Sequence, residues 1–124
     1  MWKSFNPNPA GNRTIDCAVR ALCFALDVSW DLAYFWLTAT AFELKTMPSA
    51  KHVIGRILAS RGWVKHVIPD QCPQCYTAED FCRDHPFDKF VLAFDDHIAT
   101  VINGDIYDTW DSRGETPLFY WRKE

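Results

Sequence analysis

Apolar residues recur at helical spacing in three stretches of the first half of the chain. The stretches cover residues 15–27, 30–42 and 48–62, and each is polar on its opposite side. Ser29 is placed to cap the second stretch, and Gly62 suits a left-handed C-cap of the third. The pattern therefore predicts three amphipathic helices.

After residue 62 the spacing changes to the alternation that is typical of strands. It predicts a short helix near residues 77–83 and strands at 63–68, 89–94, 97–102, 105–110 and 118–121. Helices followed by strands indicate an α+β fold, with N-terminal helices packed on a four- to five-stranded antiparallel sheet.

The length of 124 residues is typical of a single domain, so we expect one domain over residues 1–124 with an irregular arm at 1–13. A net charge of −3 without a basic run argues against nucleic acid as a partner. No apolar stretch approaches the roughly 20 residues of a membrane span, and the N-terminus lacks the apolar centre of a secretory signal. We therefore expect a cytoplasmic protein with no membrane partner.

Cys17 falls in the first turn of the first predicted helix, which Thr14 or Asp16 can cap. Unpaired N–H groups and the helix dipole favour an anion at this end of a helix, so the position lowers the pKa of a thiol. Because the thiolate is the nucleophilic form, Cys17 is a candidate catalytic nucleophile. The alternative is that Cys17 is a small buried residue with no chemical role.

The two-residue turn Asn103-Gly104 fixes the register of the hairpin around it. His97 then lies opposite Trp110, and Asp108 lies opposite Ala99, two positions along, so the side chains of His97, Trp110 and Asp108 share one face of the sheet. His97 and Asp108 become diagonal neighbours, about 7–8 Å apart at the backbone. The register thus selects Asp108 to orient the imidazole of His97, and Trp110 as a cleft residue beside it. A purely structural polar contact remains the alternative.

Two segments, GNRTIDCAVRA at residues 11–21 and HIATVINGDIYDTWD at 97–111, resemble a papain-like cysteine peptidase of the superfamily that includes the NlpC/P60 and bacteriocin-processing branches. More narrowly, they are similar to small uncharacterised proteins of phages and gut bacteria. The resemblance implies a minimal papain-like fold, in which Cys17 is the nucleophile, His97 the general base and acid, and Asp108 the orienting residue. It also implies a phage-encoded protein in a bacterial host.

The sequence departs from that family at the donor that stabilises the oxyanion. Many members have a Gln six residues before the cysteine, whereas Asn12 lies five residues before Cys17 and has a shorter side chain. The Asn12 amide is the candidate donor, together with the backbone N–H of Cys17. The alternative is an ordinary turn residue.

A second group of candidate side chains has the spacing C-x2-C-x6-C-x2-H and consists of Cys72, Cys75, Cys82 and His85. Four such ligands suit zinc, although the second and third cysteines are closer together than two zinc-ligand pairs usually are. A redox pair and unbound, reduced cysteines remain alternatives. We expect no cofactor, with zinc left open at this position.

Three functions fit these observations. The first is a thiol hydrolase or acyl transferase that acts on an amide bond of a peptide or protein. The second is a non-catalytic papain-like binding protein, and the third is a zinc-stabilised interaction module. The sequence leaves open the substrate, the choice between hydrolysis and transfer, and the oligomeric state.

Overall fold

The computed structural model describes residues 1–69 and 74–124. Its elements in chain order are β1 (Trp2–Ser4), α1 (Cys17–Leu26), α2 (Trp30–Leu44), α3 (Lys51–Ser60), β2 (Trp63–Val67), α4 (Ala78–Asp84), β3 (Lys89–Ala93), β4 (Ile98–Ile102), β5 (Asp105–Asp108) and β6 (Phe119–Lys123). No helix in this part of the chain is long and apolar enough to cross a membrane. The α+β class is confirmed.

The helices form where the apolar spacing predicts them, and their ends follow from local capping. Ser29 accepts a hydrogen bond from the Leu32 N–H at 3.1 Å and so begins α2. Helix α1 begins at Cys17 because Asp16 has a non-helical backbone as its N-cap. Ile15 therefore lies outside the helix and is 93% exposed, although the apolar spacing includes it in the first predicted stretch.

The sheet has six strands in the order β1-β5-β4-β3-β6-β2. Strand β1 is parallel to β5, and the other neighbours are antiparallel. The prediction of four to five antiparallel strands, with residues 1–13 irregular, is therefore wrong at the N-terminus. Three residues are too few to show an alternating pattern, and β1 is fixed instead by backbone bonds to β5, such as Ile106 N–H to the Met1 carbonyl at 2.9 Å.

The predicted register of the β4–β5 hairpin is confirmed. Ile102 pairs with Asp105 and Thr100 pairs with Tyr107. Asn103 and Gly104 both have positive φ, 50° and 80°, as a two-residue type I′ turn requires.

Apolar cores lie on both faces of the sheet. Helices α1 to α3 pack with residues that include Val91 and Ile98, while α4 packs with residues that include Leu92 and Ala99. Helix α1 contacts β3 and β4. This packing brings the start of α1 to the end of the sheet where β4 begins and β5 ends.

Candidate active site

Cys17 is the first residue of α1 and is half-buried. The first N–H groups of a helix have no acceptor within the helix, so the thiol lies in a positive local field. The imidazole of His97 and the backbone N–H of Ile98 lie close enough to the thiol to lower its pKa. The helix start and the start of β4 therefore meet at this sulphur atom.

His97 and Asp108 lie at adjacent strand ends, as the hairpin register predicts. His97 directly precedes β4, and Asp108 is the last residue of β5. The Nε2 atom of His97 lies 2.5 Å from Oδ2 of Asp108, whose side chain is 1% exposed. Since Nε2 is engaged by the carboxylate, Nδ1 is the ring nitrogen left to bond the thiol of Cys17.

Charged and hydrogen-bonding neighbours shift the pKa values of Cys17 and His97 in the direction opposite to burial. Burial alone would raise the pKa of the Cys17 thiol, but the hydrogen bond and positive charge of His97 and the charge of Arg20 lower it below its ordinary value. Burial would likewise lower the pKa of His97, yet Asp108 and Cys17 raise it to about 9. Both shifts favour a thiolate beside an imidazolium.

Asp108 is held by four donors. Its Oδ1 accepts hydrogen bonds from Arg20 Nη2 at 3.0 Å and from the Thr109 N–H at 2.8 Å. Its Oδ2 accepts from Ser112 Oγ at 2.8 Å as well as from His97. A carboxylate with this many donors keeps its orientation toward the imidazole.

Arg20 connects Asp108 to the start of α1. Its Nη1 donates to Oδ1 of Asp16, and Trp30 Nε1 donates to Oδ2 of the same carboxylate at 2.9 Å. Asp16 and Arg20 are each 6% exposed. The charges therefore alternate in sign from Asp16 through Arg20, Asp108 and His97 to the Cys17 thiolate.

Sequence reasoning missed part of this network. In the structure Arg20 bridges Asp16 and Asp108, and the contact with Asp108 is not predicted from the sequence. An arginine one turn after the candidate nucleophile, on the same side of the helix, is a signal that could have suggested a role in the site. Ser112 carries no comparable signal, because its place next to Asp108 depends on the loop after β5.

A cleft of about 370 Å³ opens beside Cys17 between the N-terminal arm, α1 and α2. Asn12, the candidate oxyanion donor, is exposed on the wall of this cleft, and its carbonyl accepts a hydrogen bond from Asn6 Nδ2 at 3.2 Å. Trp110 lies on the other side of the site, 42% exposed, with its ring centroid 5.0 Å from that of His97. Trp110 thus lies next to His97, and Asn12 shares the cleft with Cys17.

The second cysteine group is not assembled in the described residues. Cys72 lies outside them, and Cys75 is exposed. Cys82 is buried, which raises its pKa to about 11, and His85 Nδ1 donates to the Phe81 carbonyl at 2.9 Å. No group of three or more metal-ligating side chains occurs within residues 1–69 and 74–124. Because the proposed ligand set includes Cys72, the zinc site stays a prediction.

No family model, curated protein or solved structure matches this chain. The functional argument therefore depends on the geometry of the site.

Proposed function

We propose that this protein is a cysteine-dependent hydrolase or acyl transferase that cleaves an amide or peptide bond through a thioester on Cys17. The observation that carries the proposal is that the Cys17 thiol lies beside His97, whose imidazole is hydrogen-bonded to the buried Asp108 carboxylate. A nucleophile bonded to a base, which a third group orients, is the arrangement that covalent catalysis requires.

The reaction proceeds in two stages. The Cys17 thiolate attacks the carbonyl carbon, forming a C–S bond and an oxyanion, and the imidazolium of His97 then protonates the amine as the C–N bond breaks. In the second stage neutral His97 takes a proton from water, or from an acceptor amine, as that nucleophile attacks the thioester and expels the thiolate. Water as the nucleophile gives hydrolysis, and an amine gives acyl transfer.

The oxyanion needs donors next to the sulphur. The backbone N–H of Cys17, in the first turn of α1, is one candidate, and the Asn12 amide on the cleft wall is the second. A donor aimed at the developing charge contributes roughly 2.7–4 kcal/mol where it has been measured.

The proposal includes a papain-like architecture. It is supported by the chain order of Cys17, His97 and Asp108, by the cysteine at a helix N-terminus, and by a histidine at the start of a strand in the sheet against which that helix packs. The parallel edge strand β1 is an addition to the antiparallel part of the sheet.

The test is to incubate the purified protein with peptide and cell-wall fragment libraries and to analyse products and intact protein by mass spectrometry. We expect substrate cleavage and an acyl adduct on Cys17, and we expect Cys17→Ala to lose both. Cys23→Ala, a buried cysteine of the same helix, is the matched control and should retain activity. Equal activity of Cys17→Ala and the wild type would overturn the proposal. A reactive Cys17 without turnover of any library member would favour the non-catalytic binding protein.

A further inference from the structure

We propose that the cleft beside Cys17 is a subsite for a large uncharged side chain, aliphatic or aromatic, on the acyl side of the scissile bond. This inference rests on the proposed function, because it names the substrate class that the same cysteine would attack.

The walls of the cleft are mostly apolar. Trp30 and Tyr34 stack with their ring centroids 5.0 Å apart and their planes at 18°, and Val19 and Leu37 complete the apolar surface. The volume of about 370 Å³ lies near the lower limit of small-molecule sites, roughly 300–1,000 Å³. The cleft is therefore suited to one large side chain rather than to an extended cofactor.

The cleft offers no partner for a charged group. Asp16 is the one carboxylate among its described lining residues, and those residues include no Lys, Arg or His. Both oxygens of Asp16 are already engaged, one by Arg20 and the other by Trp30. A charged side chain that entered would lose its hydration without gaining a counter-charge, which disfavours acidic and basic residues.

The position of the cleft identifies the side of the substrate that it binds. None of its lining residues belongs to β4 or β5, and His97 is not among them. The leaving amine must lie at His97, since that imidazolium protonates it. The acyl group that remains on the sulphur of Cys17 therefore extends the other way, into the cleft.

The hydrogen bond from Trp30 to Asp16 fixes the aromatic wall in place. Trp30 Nε1 lies 2.9 Å from Oδ2 of Asp16, the residue that directly precedes the nucleophile. The subsite and the thiol are thus held at a constant separation, which is the geometry that positions a bound acyl group for attack.

The experiment compares the alkylation rates of Cys17 with three reagents at pH 6: iodoacetamide, its N-phenethyl derivative and its N-(2-carboxyethyl) derivative. In each reaction the thiolate forms a C–S bond and iodide leaves. Rates are divided by those measured with free cysteine, which removes differences in intrinsic reactivity. We expect the phenethyl reagent to react about 10-fold faster than the carboxyethyl reagent after this correction.

Variants at the cleft separate the subsite from the thiolate. Tyr34→Ser should reduce the phenethyl preference to less than about 3-fold. Phe35→Ser, the adjacent and 65% exposed residue of α2, is the matched control and should leave the preference unchanged. Ser49→Lys places a cation at the exposed rim and should increase the rate of the carboxyethyl reagent several-fold.

The outcomes distinguish the two proposals. Equal corrected rates for the three reagents would overturn the subsite while leaving the reactive thiolate intact. Slow, uniform labelling of Cys17 and Cys23 by iodoacetamide itself would overturn the thiolate, and with it the proposed function.

Discussion

Two regions of the described part of the chain contain both a cysteine and a histidine, and they differ in chemistry. At the start of α1, Cys17 lies beside His97 and its pKa is lowered. In and just after α4, Cys82 is buried in an apolar core and its pKa is raised to about 11, while His85 bonds a backbone carbonyl. The same residue types therefore have opposite environments: charged neighbours lower the pKa of one thiol, and apolar burial raises the pKa of the other.

Burial and aromatic contact are common to both regions. Burial raises the pKa of either thiol, and each histidine lies against aromatic rings, His97 against Trp110 and His85 against Phe81. The difference is the buried carboxylate Asp108, which holds the imidazolium next to the thiol. The comparison indicates that the ionic network accounts for the lowered pKa of Cys17, since Cys82 has burial and a nearby histidine but no such network.

Removing the cation at the centre of the network should have the largest effect. Arg20→Met leaves the buried carboxylates of Asp16 and Asp108 without their shared partner, and we expect the free energy of unfolding to fall by about 3–5 kcal/mol. Urea unfolding monitored by circular dichroism measures this loss.

Arg83→Met provides the control in the other region. Arg83 pairs with Asp80 on the surface of α4 and is 69% exposed, so its loss should leave the free energy of unfolding nearly unchanged. Similar destabilisation by the two substitutions would contradict the view that the buried network distinguishes the regions.

Replacing either histidine tests which imidazole activates a thiol. In His97→Gln the imidazolium is lost while burial of Cys17 remains, so its pKa rises and alkylation by iodoacetamide at pH 6 should slow by about 100-fold. Mass spectrometry of quenched samples gives the rate. His85→Gln should leave the rate at Cys17 unchanged, and an equal decrease in both variants would indicate loss of folding instead of loss of the base.

The sequence predicts that His97 and Asp108 lie close together, but it does not predict that Arg20 contacts Asp108. The Asn103-Gly104 turn determines the register, so the proximity of His97 and Asp108 follows from counting along two strands. The contact between Arg20 and Asp108 depends on how α1 packs across the sheet, which local spacing does not specify. The parallel strand β1 is missed for the same reason, because its pairing is with residues more than 100 positions away.

The pH dependence of stability should change when the thiol is removed. In the folded wild type His97 takes up a proton near neutral pH, because its pKa is raised to about 9, while the lowered pKa of Cys17 acts in the opposite direction. The Cys17 effect therefore offsets part of the pH dependence of stability that His97 causes.

Cys17→Ala leaves the proton uptake by His97 unbalanced. The stabilisation that His97 gives the folded state is complete below the pKa of about 6.5 that the imidazole has in the unfolded chain. It is lost as the pH rises through the pKa of His97 in the folded protein. Relative to wild type, the free energy of unfolding of this variant should fall by about 1–2 kcal/mol between pH 6 and pH 9. Urea titrations at each pH measure the difference. The control is Cys82→Ala, which lacks a thiol of the other region, and its stability should follow the same pH dependence as wild type over pH 6–8. A Cys17→Ala curve that also runs parallel over this range would exclude the ion pair.

The smallest effect is expected from removing the aromatic contact of the histidine, which both regions have. Trp110 packs against His97 with 42% of its surface exposed, so Trp110→Ala removes an aromatic contact with the imidazolium but none of its charged partners. An exposed cation–aromatic contact contributes about 0.5–1 kcal/mol, so the upper pKa of the alkylation–pH profile of Cys17 should fall by less than about one pH unit. Trp110→Phe keeps a ring and should restore the profile. If Trp110→Ala instead slowed alkylation at pH 6 as much as His97→Gln does, aromatic contact would be essential to the reactive pair. The Asp108 carboxylate would then not be the sole difference between His97 and His85, although His85 also stacks on a ring.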